Sequence, residues 1–187
     1  LYFADQLIKE IYPFSLKGEY QIKNIRTVLQ IIDILNNGKF VISKEAVQLG
    51  LLKIKENTGL RGRWEVLGSS PKIICDTAHN KNGLCLVFKQ LLNEKFQDLH
   101  IVLGMVNDKD IGSLIEFFPK GAKYYFCKPN IPRGLEATQL AEVFIENGFS
   151  GCVYLSVNEA LIAAKQSASQ DDVIYVGGST FVVAEII

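Results

Sequence analysis

From residue 58 onward, short apolar runs alternate with amphipathic stretches. Lys72-Ile73-Ile74-Cys75 predicts a strand ending at Asp76, and Leu84, Val87, Phe88, Leu91 and Leu92 then fall on one face of a helix. Ile101-Val102-Leu103 predicts the next strand, and Leu114, Ile115 and Phe118 a short helix. Tyr124-Tyr125-Phe126-Cys127 predicts a third strand, followed by a helix carrying Leu140, Val143 and Phe144 and closed by Asn147-Gly148. Val153-Tyr154-Leu155 predicts a fourth strand before an Ala-rich helix around Ala160 to Ala168. Val173-Ile174-Tyr175-Val176 predicts a fifth, with a last helix after Thr180. Trp64-Glu65-Val66-Leu67 adds an edge strand. Repeated strand–helix alternation implies parallel strands with right-handed crossovers. The expected fold is therefore α/β, a Rossmann-like, mostly parallel sheet with helices on both faces.

The first 57 residues lack strand character. Ile25, Val28, Leu29, Ile32 and Leu35 recur at helical spacing from Asn24, and Asn36-Asn37-Gly38 supplies a stop. Ser43 is placed to cap a second helix carrying Ala46, Val47 and Leu51. A basic, Gly-containing connector, Thr58 to Arg63, joins the two parts, so residues 1–57 and 58–187 are expected to be separate pieces.

Composition narrows the class. Of the 187 residues, 48% are hydrophobic and 21% charged, which excludes a disordered chain. Twenty Lys and Arg balance twenty Asp and Glu, so a bulk electrostatic binder of nucleic acid or membrane surface is not expected. No apolar run reaches the roughly 18–20 residues that span a bilayer. Cys75, Cys85, Cys127 and Cys152 show no C-x-x-C spacing and lie in apolar runs, and are expected to be buried, reduced thiols of a cytoplasmic protein. No leader peptide is expected, and the start at Leu1 rather than Met predicts a fragment or a processed chain.

A doubly wound sheet places its ligand site at the carboxyl ends of its strands. Here those ends are Asp76 to Asn80, Gly104 to Asp110, Lys128 to Arg133, and Gly177-Gly178-Ser179-Thr180. His79 lies in a strand-to-helix turn; it is either a surface residue beside the capping Asp76 and Asn80 or a ligand contact. Gly177 to Thr180 is either an ordinary capped turn or a cradle of amides and hydroxyls for phosphate or carboxylate. Asn107 to Asp110 reads equally as a solvated loop with Asp110 as a cap. His100, standing alone before a strand, reads as structural. The sequence contains no G-x-x-x-x-G-K-[ST], no G-x-G-x-x-G after a strand, no G-x-S-x-G and no H-E-x-x-H.

Arg61-Gly62-Arg63-Trp64-Glu65 followed by Asp76-Thr77-Ala78-His79-Asn80 resembles the start of the C-terminal domain of the Mur ligase superfamily, in its folylpolyglutamate synthase/dihydrofolate synthase branch. Leu16 to Asn24 is similar to the branch's L-x-G-x-[HY]-Q-x-x-N segment, which ends its central ATPase domain. Gly104 with Asp108-Lys109-Asp110 is similar to its G-x-x-x-D-K-D loop, and Val173 to Ser179 to its last strand and G-S turn. Lys81 departs from the Pro common after Asn80, and Tyr20 stands where many members carry His.

This resemblance implies an ATP-dependent ligase of folate metabolism. ATP phosphorylates a dihydropteroate or folate carboxylate, and the amine of L-glutamate attacks the acyl phosphate. It implies that Asn24, Arg63, Asp76 and His79 line the ATP site, with His79 contributing to catalysis, and that Ser179 faces the glutamate. The P-loop and Mg2+ ligands are implied to lie outside this chain, in the protein's own N-terminal ATPase domain. Residues 1–57 would then be the helical end of that domain, within a cytoplasmic monomer. Two alternatives stay open. One is a peptidoglycan amino-acid ligase, against which Gln21 speaks because those ligases more often carry Asn there. The other is a non-catalytic nucleotide-binding module on the same sheet.

Overall fold

The computed structural model describes residues 2–187, which fall into two compact units that divide between Arg61 and Gly62. The first unit is helical: α1 (Tyr2–Ile11), α2 (Gln21–Asn36), α3 (Lys44–Leu52) and α4 (Ile54–Thr58). Helix α2 begins three residues before the apolar repeat does, so Asn24 sits in its first turn. Ser43 caps α3 by accepting from the Ala46 amide at 3.2 Å. The unit's core is small: Ile25, Val47 and Leu51 are buried, with Ile8, Tyr12, Phe14, Leu29 and Ile32 packed around them. Val28, Ile31 and Ile34 on α2 remain exposed.

The second unit is a six-stranded sheet in the order β1-β2-β6-β3-β4-β5. Its strands are β1 (Glu65–Ser69), β2 (Lys72–Asp76), β3 (Leu99–Leu103), β4 (Lys123–Phe126), β5 (Gly151–Val153) and β6 (Val173–Gly177). All neighbouring pairs are parallel except β1–β2, so β1 is the antiparallel edge. The α/β architecture expected from the alternation is the one present, with helices α5 (Lys81–Leu91), α6 (Ala137–Glu146), α7 (Val157–Ser167) and α8 (Thr180–Ala184).

Alternate residues of each strand feed two cores. Ile73, Cys75, Val102, Tyr125, Ile174 and Val176 pack against Val157, Ala160 and Leu161 of α7 and Val182 and Val183 of α8. Ile74, Ile101, Leu103, Tyr124, Phe126 and Tyr175 are buried on the other face, where Phe88 of α5 meets Tyr175 and Phe144 of α6 meets Tyr124 and Phe126. Among the described residues no helix is long and apolar enough to cross a membrane.

Three local expectations differ from the structure. The segment around Leu114 makes only a single 3-10 turn, Ile115–Phe117. Phe118 is extended (ψ 136°) because the ring of Pro119 disfavours helical geometry in the residue before it. Strand β5 lies two residues earlier than Val153-Tyr154-Leu155, and Leu155 projects into solvent. Cys75 and Cys127 are buried, but Cys85 on α5 and Cys152 on the edge strand β5 are exposed. Cys85 lies on the outward face of α5, and β5 is exposed at all three of its residues.

His100 is structural. Fully enclosed at the start of β3, its Nδ1 accepts from the Tyr125 hydroxyl at 2.9 Å and its Nε2–H donates to Asp172 at 3.3 Å. Asp172 also accepts the amides of Asp98 and Ser169. Burial lowers the His100 pKa against the opposing pull of Asp172. For Asp172, burial pushes upward, but the two amides and His100 prevail and hold the carboxyl below its ordinary range.

Candidate functional site: a charged cleft at the carboxyl edge of the sheet

Strand β2 delivers Asp76 into the turn Thr77-Ala78-His79-Asn80, and α5 starts immediately afterwards. Asn80 caps α5 through its side-chain oxygen, which accepts from the Gly83 amide at 2.9 Å. Asp76 is 1% exposed, and its two carboxylate oxygens accept the backbone amides of Trp64 (2.7 Å) and Ala78 (2.8 Å). It thus ties the connector to the strand end and holds Trp64 at φ 47°, in the left-handed region. Arg63 joins the same knot, its Nη1 donating to the Thr77 hydroxyl at 2.6 Å.

His79 is half-buried. Because the Thr77 carbonyl can only accept, Nδ1 of His79 carries the proton of their 2.9 Å bond, which leaves Nε2 as the ring nitrogen free to meet a ligand. Strand β6 ends at Gly177, and Gly178 turns the chain at φ 92°. A Cβ on Gly178 would lie 2.5 Å from Leu103 Cδ1 and 2.7 Å from the Gly104 carbonyl, so only glycine lets β6 close on β3 here. Ser179 is buried and caps α8, its Oγ accepting from the Phe181 amide at 3.2 Å. The exposed hydroxyl of this turn belongs to Thr180.

The loops after β3 and β4 are fastened to each other. Val106 bridges Gly134, the Asn107 amide donates to the Arg133 carbonyl (3.0 Å) and the Leu135 amide to the Met105 carbonyl (2.9 Å). Arg133 lies over the Phe181 ring, 4.9 Å from its centre, with Nη1 3.8 Å from Asp108. His79, Asp108, Lys109, Arg133, Ser179 and Thr180 thereby line one cleft of about 360 Å3. Lys109 and Arg133 give it an excess of positive charge over Asp108.

Of the residues singled out in the sequence, His79 and Ser179 line this cleft, while Asp76 and Arg63 build the turn that carries His79. Asn24 belongs to the helical unit, where it is exposed and its Nδ2 donates to Gln21 at 2.8 Å. The sequence reading missed Arg133 and Thr180 as individual contributors. Their signal was their position, on the loops that follow β4 and β6. Among the described residues no three His, Cys, Asp or Glu side chains converge as a metal site.

Residues 62–180 match the family described as Mur ligase, glutamate ligase domain. The chain is 34% identical over 171 residues to a Haloferax volcanii protein named "Probable bifunctional folylpolyglutamate synthase/dihydropteroate synthase", covering 91% of this chain and 20% of that protein. Among solved structures it resembles Escherichia coli FolC in complex with DHPP and ADP (27% identity, TM-score 0.69, 83% of this chain and 36% of that one). It also resembles a bifunctional folylpolyglutamate synthase/dihydrofolate synthase with Mn, AMPPNP and L-glutamate bound (30% identity, TM-score 0.70, again 83% and 36%). The chain thus spans a fifth to little more than a third of these relatives. With its glutamate-ligase-domain sheet and the charged cleft at that sheet's carboxyl edge, the chain belongs to the Mur ligase family, in its folylpolyglutamate synthase/dihydrofolate synthase branch.

Proposed function

We propose that the chain is the glutamate-accepting part of an ATP-dependent ligase that extends dihydropteroate or folate. The observation that carries this reading is the cleft itself, which Lys109, Arg133, Asp108 and Thr180 line together with His79. An acidic amino acid matches this set, and relatives crystallised with L-glutamate, AMPPNP and ADP support the choice. The reaction joins the glutamate nitrogen to an acyl carbon as the bond to phosphate breaks, and the amine gives up a proton. In this scheme the chain's residues position and stabilise; none is a covalent nucleophile.

His79, fixed through Nδ1, offers Nε2 to the glutamate amine as an acceptor, or, when that nitrogen is protonated, to the phosphate as a donor. Asn24, Arg63 and Asp76 are assigned to the nucleotide side, Asp76 acting through the turn it holds. Ser179 serves the glutamate side by setting the start of α8. Residues 1–57 are read as the helical end of the central ATPase domain; the small core and exposed apolar residues of α2 support their belonging to a larger body. Mg2+ is assigned, as the family resemblance implies, to ligands in the part of the enzyme outside this chain. The parent enzyme is proposed to be cytoplasmic and monomeric.

The test is His79→Ala in the full-length enzyme. Losing one charge-assisted contact costs roughly 1.5–3 kcal/mol, about ten- to a hundredfold in kcat/KM. The melting temperature should hardly move, since the ring makes one hydrogen bond to its own turn. Near-normal turnover with a large loss of stability would overturn the reading.

A further inference from the structure

The cleft contains one carboxylate, and its position is set by backbone rather than by chance. The bonds between Asn107 and Arg133 and between Leu135 and Met105 lock the two loops in register, so Asp108 and Arg133 stand side by side. Their 3.8 Å separation is longer than a direct hydrogen bond, and both side chains are more than half exposed, so the pair remains open to a ligand. Arg133 is supported from beneath by Phe181, and Lys109 lies in the same cleft. Apart from the His79 ring, the side-chain charges are therefore two positive and one negative. An acidic α-amino acid carries the inverse: two carboxylates and one ammonium. A phosphate group would meet Lys109 and Arg133 but would be repelled by Asp108.

We propose that Asp108 receives the α-amino group of the incoming acidic amino acid, while Arg133 and Lys109 meet its two carboxylates. This rests on the reading of the cleft as the amino-acid site and adds a specificity-determining residue to it. A carboxylate accepting from the amine's N–H groups fixes which end of the amino acid faces the acyl group, and it selects against anions of similar size that lack an amine.

The test uses the full-length ligase, with glutamate varied as substrate and glutarate, which lacks the amino group, as a competitive inhibitor. In Asp108→Asn the KM for glutamate should rise roughly tenfold or more, with the Ki of glutarate unchanged or lowered. Asp108→Ser should move both in the same directions. The proposal is overturned if the glutamate KM falls, which would make Asp108 a competitor for Arg133. It is overturned equally if KM and Ki rise together, or if neither moves. Arg133→Ala separates this from failure of the underlying reading. If that variant raises both the glutamate KM and the glutarate Ki, the cleft takes the amino acid whatever Asp108 does; if it changes neither, the cleft is not the amino-acid site and both readings fall.

Discussion

Replacing Asp76 by Ala tests whether its carboxylate belongs to the fold or to the ligand. The structure places both oxygens on backbone amides, at 2.7 Å from Trp64 N and 2.8 Å from Ala78 N, in a residue 1% exposed. Each such bond to a charged acceptor contributes about 1.5–3 kcal/mol, so Asp76→Ala should cost roughly 3–6 kcal/mol. Trp64 at φ 47° adds strain, which the lost bond no longer opposes. Against a typical total of about 5–15 kcal/mol, that is a large fraction. A melting shift on the order of 10 °C or more follows for a unit of this size. Asp76→Asn retains one acceptor oxygen but turns an NH2 toward the second amide, so its loss should be intermediate. Trp64 is the chain's one tryptophan and is 3% exposed, so its fluorescence reports the region directly in urea and thermal titrations. An Asp76→Ala protein that melts within about 2 °C of the parent while losing ligase activity would refute the argument and return the carboxylate to the nucleotide.

Two further outcomes are expected. Because His100 is held below its ordinary 6.5, the unfolded chain takes up a proton that the native chain refuses, and stability falls as pH drops below about 6.5. Asp172, held below 3.8, adds a second loss under that pH. Urea midpoints measured from about pH 7.5 down to about pH 5 should decline in the parent and flatten in His100→Gln; a flat parent profile counts against the buried pair. In native protein a thiol reagent should modify Cys85 and Cys152 quickly and leave Cys75 and Cys127 until unfolding, since burial, assisted by Glu185, pushes the Cys127 thiol up to about 12. Fast modification of all four thiols would contradict the packing.

The sheet was legible because fully buried parallel strands write themselves as continuous apolar runs, as Ile101-Val102-Leu103 and Val173 to Val176 do. Edge elements were less so. Strand β5 is exposed along its length, and only β4 specifies where it starts. At the site, the strand-end rule found His79 and the loops, but not which side chains meet. Arg133 reaches Asp108 only because two loops separated in sequence are hydrogen-bonded together, a pairing that leaves no periodic trace. Ser179 is a hydroxyl in the right turn that also accepts a capping bond from the Phe181 amide, with the exposed Thr180 beside it, a division the sequence does not mark.

Of the six described strands, β6 is synthesised last yet lies between β2 and β3. Until Val173–Gly177 emerge, β1–β2 and β3–β4–β5 have no strand in common and cannot join. A nascent chain therefore exposes two apolar strand edges for the whole time needed to synthesise residues 104–172, a period in which chaperone protection matters most. The carboxyl-edge cleft is completed in the same event, because the segment that inserts β6 also brings Ser179, Thr180 and Phe181. Ribosome-stalled chains ending before Val173 should be protease-sensitive throughout the sheet, and those that release β6 should become resistant in one step.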